Sequence, residues 1–294
     1  VIAAVRAPQA SSPGSPDAGE MMPDGSAAAI AEAVRSAGIR PGQLEVVYWA
    51  SDPEEGQAIG AQFGGAPVVA VQAGALGGQQ AVHLAAQAIL SGDLDLVLVG
   101  GTSRRAPEAA LGETRRLSAD LAQAEGLDIM HLFGETGPVG WQPEMAAQDW
   151  SDTGPVSDTE TGETAAFVLA SPAAVGRYNL IPRACLAARG MAAAGVHRWW
   201  RGGMVAAGTA LKRAGIEPAD VDLLAIGEPC PGPGWVLAGE LGLDPEKSDP
   251  GSGRTGAVAL VDVIAELERR AGTYALLVGF STGGVGCATV VQRV

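Results

Sequence analysis

The chain has 294 residues, 47% of them hydrophobic and 18% charged, with 33 acidic against 19 basic residues and a formal net charge of −14. That size and apolar content fill one large domain or two coupled ones. The acidity argues against a nucleic-acid partner, because phosphates need clustered Lys and Arg. Three cysteines, Cys185, Cys230 and Cys287, form no C-x-x-C pair. An odd, scattered set argues against a disulfide framework or a metal site and fits a reducing, cytoplasmic compartment. No run of about 18 apolar residues is present, so no membrane span is expected, and no leader segment is visible.

Residues 7–25 are rich in Pro, Ser, Gly and Asp and read as a surface loop. A helix is expected over Ser26–Ala37, then strands near Leu44–Trp49 and Pro67–Val71. Residues 77–101, GGQQAVHLAAQAILSGDLDLVLVGG, follow. Here a glycine pair opens an alanine-rich amphipathic helix over 78–90, and a short loop leads to an apolar strand at 94–99 closed by Gly100-Gly101. Residues 102–155 carry weak periodicity and the segment WQPEMAAQDW, and read as an inserted cap. Strands resume near Thr164–Leu169 and Arg183–Ala188. A helix over 203–213, a strand at 221–226, and helices over 234–241 and 255–270 come next. A hairpin of strands at 274–280 and 286–292 closes the chain. Continuous apolar strands of this kind favour sheets buried on both faces.

A weak internal repeat runs through the chain. AVRSAGIRPGQLEVVYWA (33–50) parallels ALKRAGIEPADVDLLAIG (210–227), each leaving a helix at Ala-Gly-Ile, turning at Pro and entering a strand. In the same order, 81–101 parallels 257–280, each a helix, a turn and a strand closed by glycine. Two similar units in one order imply a duplicated α/β half.

Ala75-Leu76-Gly77-Gly78-Gln79-Gln80-Ala81-Val82 is similar to the nucleophile segment of thiolases, C-A-S-G-L-Q-A-V, with Ala75 at the cysteine. Four further segments resemble the family in order. SDTETGETAAFVLAS (157–171) matches the stretch before the second half, and AGIEPADVDLLAIGE (214–228) matches the approach to N-E-A-F. RTGAVALVDVIAELERR (254–270) matches the helix after G-H-P-x-G-x-T/S-G. GFSTGGVGCATVV (279–291) matches the hairpin of C-x-G-G-G-x-G. The chain is thereby identified as a member of the thiolase superfamily, of the acetyl-CoA acetyltransferase and 3-ketoacyl-CoA thiolase type. The resemblance implies a thiolase-like α/β fold of two duplicated halves, each with a mixed five-stranded sheet, stacked in five layers α-β-α-β-α. The halves are expected over 1–101 and 156–294, with a short cap over 102–155.

Thiolase chemistry needs an activated thiolate at a helix N-terminus, whose partial positive charge lowers the thiol pKa. It also needs a histidine, a second cysteine for proton transfer, and an asparagine-held water that completes an oxyanion hole. By the resemblance, these positions fall on Ala75 (nucleophile), Gly227 (asparagine), Asp249 or Pro250 (histidine) and Phe280 (second cysteine). None carries the family's side chain. Weaker alternative candidates are Glu228, Cys230 and Asp249. His83, Cys185 and Cys287 read as core residues, and His131 and His197 as loop residues. Arg198, Trp199 and Arg201, beside Trp200, fit either a coenzyme A patch that stacks adenine and pairs phosphate, or a subunit interface. Glycines 251, 253 and 256 surround Arg254, but no Walker lysine is present.

Two functional classes follow. One is a thiolase homologue without thiolase activity, acting as a partner subunit of an acyl-condensing enzyme or binding a coenzyme A thioester as ligand. The other is an acyltransferase or carbon–carbon lyase of the same superfamily that uses Glu228, Cys230 or Asp249. A cleft open at Ala75 with ionisable residues of perturbed pKa at its floor favours the enzyme, and a cleft filled by Phe280, Trp235 or the cap favours the partner. No resident cofactor or metal is expected. The family pairs the strand before the nucleophile across two subunits. Pro67–Val71 is therefore expected to form a homodimer or a heteromer with a related active subunit, and a proline at Val69 to split it.

Overall fold

A computed structural model of the chain describes residues 3–6, 24–51, 53–63, 66–103, 120–121, 123–124, 163–195, 198–227, 233–244, 247, 256–281 and 283–294. Nine strands, β1 (Ala3–Arg6), β2 (Val46–Ala50), β3 (Val68–Ala70), β4 (Leu96–Ser103), β5 (Glu163–Ala170), β6 (Ala184–Ala193), β7 (Leu223–Gly227), β8 (Tyr274–Phe280) and β9 (Val285–Arg293), are described. The helices are α1 (Asp24–Ala37), α2 (Pro53–Phe63), α3 (Gly77–Ser91), α4 (Pro172–Tyr178), α5 (Arg201–Ala214), α6 (Pro233–Leu241) and α7 (Gly256–Arg269).

The strands form two sheets with one plan. The first has the order β1-β5-β4-β2-β3 and the second β6-β9-β8-β7. In each, the first two pairings are antiparallel (β1–β5 and β5–β4; β6–β9 and β9–β8), and the next is parallel (β4–β2; β8–β7). The second sheet has four strands among the described residues where the resemblance implied five.

The internal repeat is visible bond by bond. Gly38 and Gly215 end α1 and α5 in the left-handed region, at φ 70° and 68°, a conformation glycine adopts without steric cost. Ile39 N–H then donates to Val34 O at 3.2 Å, and Ile216 N–H to Leu211 O at 3.3 Å. A 3-10 turn follows in both copies, Pro41–Gln43 and Pro218–Asp220. Glu45 Oε2 accepts the Asp95 N–H at 2.6 Å at the start of β4, and Asp222 Oδ2 accepts the Thr273 N–H at 2.6 Å at the start of β8. The same carboxylate clamp thus joins β2 to β4 and β7 to β8.

Side chains alternate across both sheets. Val97, Val99, Phe167, Leu223, Ala225, Ala275 and Leu277 join the central core with α3 and α7. Leu96, Leu98, Ala166 and Val168 face an outer core with α1. Leu224, Ile226, Leu276, Val278 and Phe280 face a second outer core with α5. The elements therefore stack as α-β-α-β-α, with α3 and α7 in the middle. Both faces of each sheet are covered, which is why these strands read as unbroken apolar runs.

Two expectations are corrected here. Glu163–Ala170 falls within the expected second half, 156–294, yet it pairs with β1 and β4 of the first sheet. The chain must pass the cap before completing its first sheet, so adjacency in sequence misplaces this strand. The cap's beginning at 102 is also early, since β4 runs on to Ser103.

Candidate functional site

The N-termini of the two central helices meet at one corner. Gly78 of α3 lies against Gly256 and Ala257 of α7, so close that a Cβ at 78 would sit 2.4 Å from the Ala257 amide nitrogen. Neither helix has an acidic residue in its first turn, and Leu76 gives α3 no side-chain cap. The amides at the positive end of α3 are therefore left without a side-chain cap. The C-terminal ends of the parallel strands β7 and β8 reach the same corner, the place where open α/β sheets commonly bind ligands.

Ala75 lies in the 3-10 turn Gly74–Leu76 just ahead of α3, and its methyl group is exposed. Gly227 ends β7 opposite Gly279 of β8. Strand alternation turns Gly227 and Gly279 to the central layer, and a Cβ at 279 would meet Leu76 and the Gln79 side chain at 2.6–2.7 Å. Around Ala75 the described second-sheet lining is thus glycine backbone.

Phe280 does not fill this corner. It is fully buried on the opposite face of β8. Its ring lies edge-to-face with Trp199, with centroids 6.4 Å apart. A cleft filled by Phe280, one of the arrangements that would favour a partner subunit, is not observed: by strand parity the residue facing Leu76 is Gly279.

The Arg198, Trp199 and Arg201 patch is corrected as well. Trp199 is 2% exposed and packs edge-to-face on Trp200 at 5.8 Å. An indole enclosed in this way cannot stack on adenine. Arg201 is ion-paired with Glu240 at 3.1 Å, and Arg198 alone of the three is exposed. The turn between β6 and α5 folds its aromatic pair inward, because Gly202 and Gly203 let α5 approach the β8–β9 hairpin backbone.

Glu228, Cys230, Pro250 and Asp249 lie outside the described residues, as do His131, His197, Arg254 and the Trp235 side chain. Cys185, expected in the core, is exposed on the outer strand β6. Cys287 is buried as expected, and its burial pushes the thiol up to about 11. No group of His, Cys, Asp and Glu suited to a metal ion occurs among the described residues.

A buried polar cluster joins α3 to the second sheet. Gln79 Nε2 donates to Leu277 O at 3.2 Å and to Thr289 Oγ1 at 3.0 Å, and His83 Nε2 lies 3.0 Å from the same hydroxyl. Burial, then the charge of Arg189, pushes His83 down to about 4. This cluster was visible in the sequence only as polar residues at i and i+4 on an otherwise apolar helix face. It fixes α3 in the central layer.

No family model matches the chain. It is 32% identical over 139 residues to the beta-ketothiolase BktB of Cupriavidus necator, a match covering 44% of this chain and 35% of that protein. The chain thus spans about a third of the length of the curated relative it matches. Its fold superposes on human mitochondrial 3-ketoacyl-CoA thiolase, solved in complex with CoA, with a TM-score of 0.71, 17% identity and 90% of each chain covered. It superposes equally well on Bacillus anthracis acetyl-CoA acetyltransferase, with a TM-score of 0.69, 18% identity and 90% of this chain and 91% of that one covered. The chain has the thiolase fold, and its sequence relative and its structural neighbours alike point to the thiolase superfamily.

Proposed function

We propose that this protein is a thiolase-like homologue that has given up thiolase chemistry and serves as a non-catalytic partner subunit or acyl-CoA-binding relative of an acyl-condensing enzyme. The observation that carries this reading is the corner at Ala75. The helix N-terminus that would activate a thiolate is kept, but a methyl group stands there. The asparagine position is Gly227, and the second-cysteine position is Phe280, turned into the outer core. A methyl group cannot attack a thioester, and no thiol stands at the second position to shuttle a proton. The kinship to a beta-ketothiolase and the CoA complex of a structural neighbour support a coenzyme A thioester as the ligand class.

The exposure of Ala75 and its glycine surroundings favour one alternative. A carbon–carbon lyase needs room for its substrate and a general base but no acyl-enzyme. Glu228, which directly follows Gly227 in the chain, with Cys230 and Asp249, would supply the base.

The two readings part in one experiment. The purified chain is mixed with acetoacetyl-CoA and coenzyme A, followed at the enolate absorbance and by intact mass. The proposed reading requires no thiolysis and no acyl adduct. A covalent acyl group on any residue overturns it and brings Cys230 forward. Retro-aldol cleavage of a 3-hydroxyacyl thioester, abolished by Glu228→Gln, establishes the alternative.

A further inference from the structure

Leu84 of α3 and Met191 of β6 are large apolar side chains left 48% and 52% exposed. They belong to one patch. Arg189 and Met191 share a face of β6, where they pair with Thr289 and Cys287 of β9. Thr289 bonds to Gln79 and His83 of α3, so this face looks to the central layer. From there Arg189 Nη2 donates to the Gln87 side chain of α3, one helical turn from Leu84. Val69 joins from the other sheet. It pairs with Tyr48, whose side chain packs on the central core, and so faces the same layer. α7 packs on β5, β7 and β8, whereas α3 packs on β2 and reaches β6. The β3 and β6 edges therefore flank the open side of α3. Within this patch Arg189 is half-buried and meets no carboxylate among the described residues, whereas Arg183, Arg201 and Arg270 each have one.

We propose that this side of the molecule docks a non-identical thiolase-fold subunit that sets a carboxylate opposite Arg189, in preference to a second copy of this chain. Such docking rests on the partner-subunit reading and adds to it a face and a partner chemistry. A dimer of identical chains is isologous, so the patch would meet its own elements. β3, α3 and β6 contain no Asp or Glu, although the chain carries 33 acidic residues. Self-pairing would therefore cover the Arg189 charge with only the neutral Gln87 side chain to receive it. A covered guanidinium without a counter-charge opposes association. A different subunit of the same fold offers an equivalent strand edge to β3, and one carboxylate on its facing helix or strand turns that opposition into a charge-assisted pair. Apolar side chains around a single arginine are the make-up of an interface centre.

The test follows self-association of the full chain by sedimentation velocity over a concentration series, with a second copy of the chain as the probe. The wild-type homodimer should be weak. Arg189→Met removes the uncompensated charge, and Gln87→Glu supplies the missing carboxylate within the chain. Each should tighten the homodimer at least about tenfold. Raised salt should erase the gain of Gln87→Glu but not that of Arg189→Met, and adding Leu84→Arg should cancel both. Gln87 is exposed, so its variant stays folded if Arg189→Met does not. A homodimer no tighter in these variants than in the wild type overturns the proposal, because Arg189 then lies outside the contact or is already paired across it. The partner-subunit reading is judged separately by the thiolysis assay: thiolysis or an acyl adduct removes that reading whatever Arg189 does.

Discussion

Phe280 lays its ring on Gly203: a Cβ added at Gly203 would stand 2.3 Å from Phe280 Cε1. The pair locks the first turn of α5 to the end of β8 and keeps the aromatic ring out of the Ala75 corner. Phe280→Cys should therefore place its thiol in the outer core and leave a void beneath Trp199. The expected cost is about 3–5 kcal/mol in urea unfolding. The new thiol should react with a disulfide reagent only as the protein unfolds. Rapid labelling in the native state would show that position 280 faces the cleft after all.

Ala75→Cys should behave in the opposite way. Its side chain is exposed ahead of the uncapped α3 N-terminus, so the thiol should alkylate readily, with a pKa below the ordinary thiol value of about 8.5. Turnover should stay absent, because a cysteine without its histidine and proton shuttle acts as part of a broken unit. The pH dependence of iodoacetamide alkylation measures the first claim, and a thiolysis assay the second.

Gly78→Ala probes the helix crossing. The new methyl would lie 2.4–2.9 Å from the backbone of Gly256 and Ala257, which cannot swing aside as a side chain would. Gly256 itself opens α7 at φ 68°, where its backbone lies directly against Gly78. The substitution should push α3 and α7 apart and lower stability by several kcal/mol, on the order of other overpacked core sites. Gly92→Ala is the control: no atom lies within 4 Å of the added Cβ, so only backbone strain at φ 83° remains. It should cost about 1 kcal/mol.

His83 sets a pH dependence. Its folded pKa, about 4, lies below the ordinary histidine value of 6.5, so the unfolded chain binds the proton first. The stability it contributes is complete above about pH 6.5 and is lost as the pH falls towards 4, up to a difference on the order of 3 kcal/mol. His83→Gln keeps a donor and an acceptor for Thr289 and removes the titration. Urea midpoints measured from pH 7 to pH 4.5 should fall less steeply in this variant than in the parent, and parallel slopes would assign the acid sensitivity elsewhere.

The duplicated architecture was legible because turn chemistry is local. Ala-Gly-Ile followed by Pro specifies a left-handed helix end and a 3-10 turn, and Gly38 and Gly215 adopt the same geometry in both copies. The helix Gly77–Ser91 was legible for the same reason, as a glycine pair ahead of an apolar run. Partnership across the sheet was not. β5 joins β1 and β4 from the far side of the cap, a long-range pairing that no local pattern encodes. Nor was the burial of Trp199 legible, since an Arg-Trp-Trp-Arg run reads as a surface until Gly202 and Gly203 bring α5 onto the hairpin. Cys185 erred in the other direction: its strand is apolar, but β6 is an edge strand and Cys185, near its start, is exposed.

The association expected from the sequence would use β3, an edge of the first sheet. β3 pairs only with β2 among the described strands, and Val69 is 40% exposed. Unpaired backbone beside apolar side chains favours strand addition from another chain. The register shows which amides are available. Val71 N–H donates to Trp49 O at 2.7 Å, and Pro67 O accepts from Val47 at 2.9 Å. The odd-numbered residues therefore bond to β2, and Val68 and Ala70 turn their amides to the free edge. A proline at Val69, the substitution suggested by the sequence alone, would break the sheet from within and say nothing about assembly. Ala70→Pro removes a free-edge donor and leaves the ladder to β2 intact. It should shift the protein from dimer to monomer in sedimentation velocity at unchanged circular dichroism. A wild-type chain that already sediments as a monomer, alone and with a related thiolase subunit, would remove the partner-subunit half of the proposed function.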